Sequence, residues 1–393
     1  MPWEPLSSEQ REIRELVRTL ARERIAPRAA EIDASHEFPW DVVALYREHG
    51  LFGLFHEERW GGTGTGTLLA LAAIEEVSKV CATSGLILAV QELGSLSLKL
   101  AGSDEQQARW LPRIASGEVL CAYALTEAGS GSDSAAMRTT ARREGDEYVL
   151  DGSKRFITNA GVAGLYTVFA KTDPDAGHSG ISAFLVEADA PGFEVARLET
   201  KLGIAGSTTG ELVFTGCRVP AASLLGREGE GFRIAMRILD RSRPGVAAQA
   251  LGIAQGATDY ALEYSRTRET MGKPIAEHQL IAAKLADMET KTEAARGLLY
   301  RFGRMVDEGA PAAELTKASA MAKLFCGDVA MEVTTEAVQI LGGYGYIKEY
   351  PVERFMRDAK ITQIYEGTQE IQRLVIAREM LRETRAFLLA GGG

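Results

Sequence analysis

The sequence predicts a mixed α and β fold in three successive regions: a helical region over 1–120, a β region over 121–228 and a helical bundle over 229–393. Three observations carry this. Apolar residues recur at three-to-four spacing in the first region. Between Cys121 and Gly226 the apolar runs become short and are bounded by turn residues. After Gly231 long helical patterns return with short joins, as in an antiparallel bundle.

In the first region Ser7 and Gln10 have capping-box spacing, and Ile13, Leu16, Val17 and Leu20 then share one helical face. Asp41–His49 reads as a helix stopped by Gly50, Gly61–Gly66 as a loop and Leu69–Val80 as an apolar helix. Ser103 and Gln106 form a second capping box before Trp110 and Leu111. In the β region Tyr148–Leu150 reads as a strand running into Asp151-Gly152, a hairpin signal. Further strands fall at Thr167–Ala170, Ile181–Val186 and Glu211–Phe214, separated by Pro174, Gly180, Pro191-Gly192 and Gly203–Gly210. Short strands without intervening helices imply a barrel or sandwich. In the last region Val246, Ala250, Ile253, Ala257, Ala261 and Tyr264 mark one helix, which breaks at Met271–Pro274. Others cover Gln279–Asp307 and Glu314–Leu341, and a fourth follows the Gly342–Tyr350 loop.

Composition excludes several classes. With 44 Lys and Arg against 54 Asp and Glu the net charge is −10, the wrong sign for broad binding to nucleic acid or to a membrane surface. No apolar run reaches spanning length. The amino end, MPWEPLSSEQ, has neither secretory nor transit-peptide character, so the expected compartment is the cytoplasm. Cys81, Cys121, Cys217 and Cys326 stand 40, 96 and 109 residues apart and form no C-x-x-C, so buried reduced thiols are expected rather than a metal site. There is no Rossmann, P-loop, serine-hydrolase or zinc-protease motif.

Five segments carry chemistry. Tyr123 to Asp133, YALTEAGSGSD, runs from an apolar stretch into bare backbone with the hydroxyls of Thr126 and Ser132. Phe156-Ile157-Thr158-Asn159 sets a flat ring beside a β-branched hydroxyl residue, which suits a planar heterocycle. Arg268 to Pro274, with His278-Gln279, exposes an Arg at a helix break, where it could pair with a diphosphate. Gln339 to Tyr346, QILGGYGY, has three glycines in four positions, more than a helix stop needs. In the fifth, Arg357 to Gln372, Glu366 follows Ile364 and Tyr365; a carboxylate among such neighbours suits a general base if its pKa is raised by burial. Taken singly, the first, second, third and fifth are better met by a turn, a core strand, a solvated charge and a helix cap.

Together and in this order the five segments resemble the acyl-CoA dehydrogenase family, from about Ser7 to Thr384. The most specific pieces are CAYALTEAGSGSD and QILGGYGYIKEYPVERFMRDAKITQIYEGTQEIQR; wording such as QALGIAQ and KLGIAGS is closest to short-chain and short-branched members. The resemblance implies a helical domain, a middle β-barrel and a C-terminal four-helix bundle. It also implies FAD, a homotetramer built as a dimer of dimers, and electron-transferring flavoprotein as acceptor in fatty acid β-oxidation. Tyr123, Leu125, Thr126, Gly131 and Ser132 would contact the polar edge of the flavin, and Phe156, Ile157 and Thr158 its ring. Arg268, Thr270, Gln279, Gln339, Gly342 and Gly343 would approach the diphosphate or adenine from a neighbouring subunit, with Thr368 and Glu370 also near the cofactor.

The implied reaction is α,β-dehydrogenation of a short- to medium-chain or branched acyl-CoA. Glu366 would take the α-proton while a β-hydride passes to the flavin. The thioester oxygen would be polarised by the Glu366 N–H and a ribityl hydroxyl, an oxyanion-hole arrangement. The family's other base position is Ser242 here, which supports Glu366. Ser132, Asp240, Arg243, Tyr365 and Gly367 would contact substrate, Asp240 at the pantetheine, while Arg243 would also hold the Glu366 loop. The chain departs from frequent family residues at Ala128, Phe156 and Glu370. The same scaffold can also serve as an oxidase or as a DNA-associated flavoprotein. Residues 341–393, with 8 Lys/Arg against 7 Asp/Glu, lack the basic excess the latter needs.

Overall fold

The computed structural model describes residues 6–389. The first half of the amino-terminal segment read for targeting, residues 1–5, lies outside them. Six helices come first: α1 (Ser8–Leu20), α2 (Ala29–Ser35), α3 (Trp40–Glu48), α4 (Thr67–Ser78), α5 (Ala82–Ala101) and α6 (Asp104–Ala115). Both predicted capping boxes form. Ser7 and Ser103 accept from the backbone N–H three residues on, and Gln10 and Gln106 return the bond. On α1, Val17 and Leu20 are buried, but Leu16 is exposed at the edge of the expected face.

Eight strands follow: β1 (Cys121–Ala124), β2 (Thr140–Glu144), β3 (Glu147–Thr158), β4 (Leu165–Lys171), β5 (Ile181–Glu187), β6 (Phe193–Leu198), β7 (Thr209–Pro220) and β8 (Leu224–Leu225). They form one sheet in the order β6-β7-β3-β2-β4-β5-β8, with β1 parallel on β4. The expected hairpin at Asp151-Gly152 is not there. β3 runs straight through, and the turn lies earlier, where Glu144 pairs with Glu147 around Gly145 at φ +66°. Asp151-Gly152 instead marks a bulge against β7, between Leu150 and Gly152. Gly152 sits at φ +142°, and a Cβ there would come within 2.7 Å of the Thr139 Cα. The dipeptide thus answers a close backbone approach rather than a chain reversal.

The last region opens with α7 (Gly231–Thr267), then the small hairpin β9 (Glu269–Thr270) and β10 (Lys273–Pro274) at the expected break. α8 (Gln279–Asp307) and α9 (Ala312–Leu341) match their periodic patterns closely. The expected fourth helix is two, α10 (Val352–Ile361) and α11 (Gln369–Leu389), and Glu366 lies in the join between them. One apolar core runs through α4, α5 and α7–α10. A second joins α5, α6 and the start of α7 to one face of the sheet, and a third fills its other face. The helical and β regions therefore meet through α5 and α7, and the site forms along that seam.

Candidate active site

Glu366 is half-buried, and its backbone is left-handed at φ +52°, with Gly367 at +95°. Two consecutive left-handed residues, one of them not glycine, persist only where the surroundings dictate them. Those surroundings are donors from three helices. The Glu366 carbonyl accepts from Arg243 Nε at 3.3 Å and Gln372 Nε2 at 3.3 Å. The Gly367 carbonyl accepts from Gln372 Nε2 at 2.9 Å and Lys323 Nζ at 2.8 Å. The turn aims the side chain at α7, where Ser242 Oγ donates to Glu366 Oε2 at 2.6 Å.

Burial pushes the Glu366 carboxyl above its usual range, opposed by the Ser242 hydrogen bond and by the positive charges of Arg243 and Lys323. The same carboxylate, after burial, raises the phenols of Tyr123 and Tyr365. Tyr123 on β1 reaches α7, where its hydroxyl lies 3.5 Å from the Ala235 carbonyl. Tyr365 donates to Gln249 Oε1. Arg243 is buried and pairs with Asp240 at 2.8 Å, and Thr316 holds the other Asp240 oxygen. Pro244 inside α7 has no N–H to bond the Asp240 carbonyl, so the helix ladder is interrupted next to Arg243.

The candidate residues of the β region line the join after β1 and the end of β3. Leu125 and Ile157 are buried, Thr126 and Thr158 half-buried, Gly131 and Ser132 exposed. Phe156 is 59% exposed at φ +59°, on a bulge between Lys154 and Ile157. An ordinary core-strand residue would be neither exposed nor left-handed. The loop itself is tied down by Glu127, which accepts from Arg138 N, Thr139 N and buried Lys154 Nζ at 2.8 Å.

Arg268, Thr270 and Gly343 meet elsewhere, lining one cavity of ≈ 430 Å³ with Tyr264, Ile340 and Tyr344; the Arg268 guanidinium lies 5.4 Å over the Tyr344 ring. Gln279, Gln339 and Gly342 are exposed and do not line it. Thr368 caps α11 through the Ile371 N–H at 3.4 Å, and Glu370 is exposed. A Cβ on Gly129, Gly131, Gly342 or Gly343 would meet nothing within 4 Å, so these glycines answer no contact inside the chain. Bare backbone, an outward ring and an exposed guanidinium suit a flat, phosphate-bearing cofactor. Among the described residues no cluster of three or more His, Cys, Asp or Glu could hold a metal.

A second cavity, of ≈ 180 Å³, adjoins Ser242. Ala89 and Glu92 line it from α5, and Gly245 from α7. The α4 face from Thr67 to Ile74 and the segment Leu54–Glu57 complete it, and no motif had marked either. Sequence reasoning also missed Lys323, Gln249 and Gln372. For Lys323 a signal existed: it falls in helical register with Ala320, Gly327 and Ala330, all buried small residues.

This is the architecture of a three-part flavoprotein oxidoreductase, with helices flanking a β unit and a carboxylate at their seam. The chain matches the N-terminal, middle and C-terminal domains of acyl-CoA dehydrogenases over residues 7–118, 122–217 and 229–381, and it belongs to that family of FAD-dependent enzymes. It is 50% identical over 379 residues to cyclohexane-1-carbonyl-CoA dehydrogenase of Geobacter metallireducens, covering 96% of this chain and 98% of that one. Butyryl-CoA dehydrogenase of Megasphaera elsdenii superposes with a TM-score of 0.94 at 43% identity, over 96% and 99% of the two chains. A chain from the structure of the electron transferring flavoprotein of Acidaminococcus fermentans gives 0.94 at 45% identity, over 97% and 100%.

Proposed function

We propose that Glu366 is the base that removes the α-proton of a short- to medium-chain acyl-CoA, straight, branched or cyclic, and that the product is the trans-2-enoyl-CoA. The observation that carries this is the Glu366 carboxylate in a strained turn, at 2.6 Å from Ser242 Oγ, on the seam between helices and sheet. FAD, when bound, supplies the two-electron acceptor. This chain's residues do the rest. Burial makes the carboxylate a stronger base. Arg243 and Gln372 fix the Glu366 carbonyl and so fix the peptide plane that carries the Gly367 N–H. Asp240 accepts from both Arg243 and Thr316 and so holds the guanidinium in place. The cavity of ≈ 180 Å³, apolar at Leu54, Leu71, Ile74 and Ala89, is small enough to favour a compact acyl group.

Phe156, Ile157, Thr158 and the Tyr123–Ser132 segment would hold the flavin end, and Arg268, Thr270 and Gly343 the phosphate or adenine end. Met271, Leu280 and Tyr346 are exposed large apolar groups, which supports a homotetramer in which other copies cover them. Electron-transferring flavoprotein as the acceptor is supported by the likeness to the Acidaminococcus chain. The three units are placed at 1–120, 121–228 and 229–393, supported by the change to strand at Cys121 and back to helix at Gly231. A cytoplasmic setting is supported by four buried free thiols. Glu366→Gln is expected to keep FAD and lower the rate of anaerobic flavin bleaching by a short acyl-CoA at least about 10²-fold. Bleaching at the native rate would move the base elsewhere.

A further inference from the structure

Lys323 is fully buried on α9, in a helix face otherwise made of Ser319, Ala320, Cys326 and Gly327. A buried ammonium is costly unless its donors are used. Here they reach across to the α10–α11 join, to the Gly367 carbonyl at 2.8 Å and to Gln369 Oε1 at 3.1 Å. Gln369 in turn donates to the Leu324 carbonyl at 2.7 Å and to Asp328 at 2.9 Å. Gly327 lets the join come this close: a Cβ there would sit 3.0 Å from Gln369 Nε2 and 3.1 Å from the Thr362 carbonyl. The lysine on α9 therefore grips the residue next to Glu366, while Arg243 on α7 grips Glu366 itself.

We propose that Lys323 is a positioning residue for Glu366: it locks the left-handed Glu366–Gly367 turn through the Gly367 carbonyl and serves, with Arg243, as a second cation beside the carboxylate. This rests on Glu366 being the base. The charged groups around Lys323 are Glu366, Arg243 on α7, Asp328 on α9 and Glu370 on α11. Around Glu366 they are Arg243 and Lys323, with the phenols of Tyr123 and Tyr365. Burial lowers the ammonium to about 7, so the charge is present on the acid side, where Glu366 must stay ionised. Its removal takes away a stabiliser of the carboxylate form and raises the Glu366 pKa.

Two variants separate the two roles. Lys323→Gln can keep a donor to Gly367 without the charge; Lys323→Met loses both. In the FAD-loaded enzyme the acid limb of kcat/KM is expected to move up by about one unit in each variant. The rate plateau at high pH should hold in Lys323→Gln and fall about tenfold in Lys323→Met. A readout independent of turnover is the infrared band of the protonated carboxyl that Glu366→Gln removes; its titration midpoint should move with the limb. Should Lys323→Met fail to fold, Lys323→Gln carries the charge test alone. A limb and band left at their native positions overturn the proposal even where activity falls, since a merely structural lysine would do that. If Glu366→Gln turns over normally, the base assignment fails whatever Lys323 does; if it is dead and the Lys323 limb is native, only this inference fails.

Discussion

Glu366 stands between opposed electrostatic demands: burial favours its neutral form, and one hydroxyl and two cations favour the ion. Its net pKa is raised, so the ionised form is gained as pH rises, and the acid limb of a pH–rate profile is expected above the ordinary carboxylate range. Ser242 is the nearest of the opposing groups and bonds the carboxylate directly. Ser242→Ala removes a hydrogen bond to a charge, worth about 1.5–3 kcal/mol. The acid limb of kcat/KM should therefore move up by about one to two units, with the high-pH plateau largely kept. A pH–rate profile decides it, and an unmoved limb would mean that the hydrogen bond is absent when substrate is bound. Ser242 also shows how much the sequence could convey. It was legible only as the wrong residue to be a base; that it would serve the true base from 124 positions away is a fact of packing.

Among the elements, β3 does the most to place the site, and it does so through irregularity. Two breaks in its pairing with β7 free Gly152 and turn Phe156 outward, while between them Lys154 points inward to Glu127. Glu127 gathers the Arg138 and Thr139 amides and the Thr139 hydroxyl, so this single ion pair closes the loop that follows β1. Removing one partner strands the other charge in the interior, at about 3–5 kcal/mol. Glu127→Ala should lower the melting temperature sharply and weaken FAD retention; Lys154→Met with Glu127→Leu together should recover much of the stability, because no charge is then left unpaired. Thermal melts of the three proteins give the answer. The helices were legible because period and caps state them locally: period in Gln279–Asp307, capping boxes at Ser7 and Ser103. The β3 irregularities were not. Asp151-Gly152 carries hairpin chemistry and is used for a bulge, because the residue it must clear, Thr139, comes from another strand connection. The same holds for Leu54–Glu57, whose place on the cavity wall depends on where α4 and α7 come to lie.

At the scale of the whole molecule, the β unit is fastened to both helical units at one junction. Arg357 on α10 bonds Asp33 on α2 with both of its end nitrogens, at 3.0 and 2.6 Å, and the Leu202 carbonyl at 3.2 Å. Beside it Asp358 accepts from the Ile204 N–H, and Ile204 is held left-handed at φ +45°. Gly203 allows the approach: a Cβ there would lie 2.5 Å from the Arg357 carbonyl. Because α10 leads directly into the Glu366 join, this fastening also fixes one end of the active-site turn. Burial raises the Asp358 carboxyl to about 7, with the Ile204 N–H and Arg354 opposing the shift. The sign follows from the proton count: the folded chain holds this proton more tightly than the unfolded chain, whose aspartate titrates near 3.9. Its contribution to stability is full below the unfolded value and is lost as pH rises from about 4 to about 7. Asp358→Asn keeps an acceptor for Ile204 and abolishes the titration. The stability of the variant relative to the native protein should therefore grow across that window and level off above it, as read by denaturant unfolding at several pH values. A difference that stays flat with pH would show that the aspartate is ionised in the folded protein throughout, held by Arg354 and Arg357, and that the junction is an ion cluster rather than a neutral hydrogen bond.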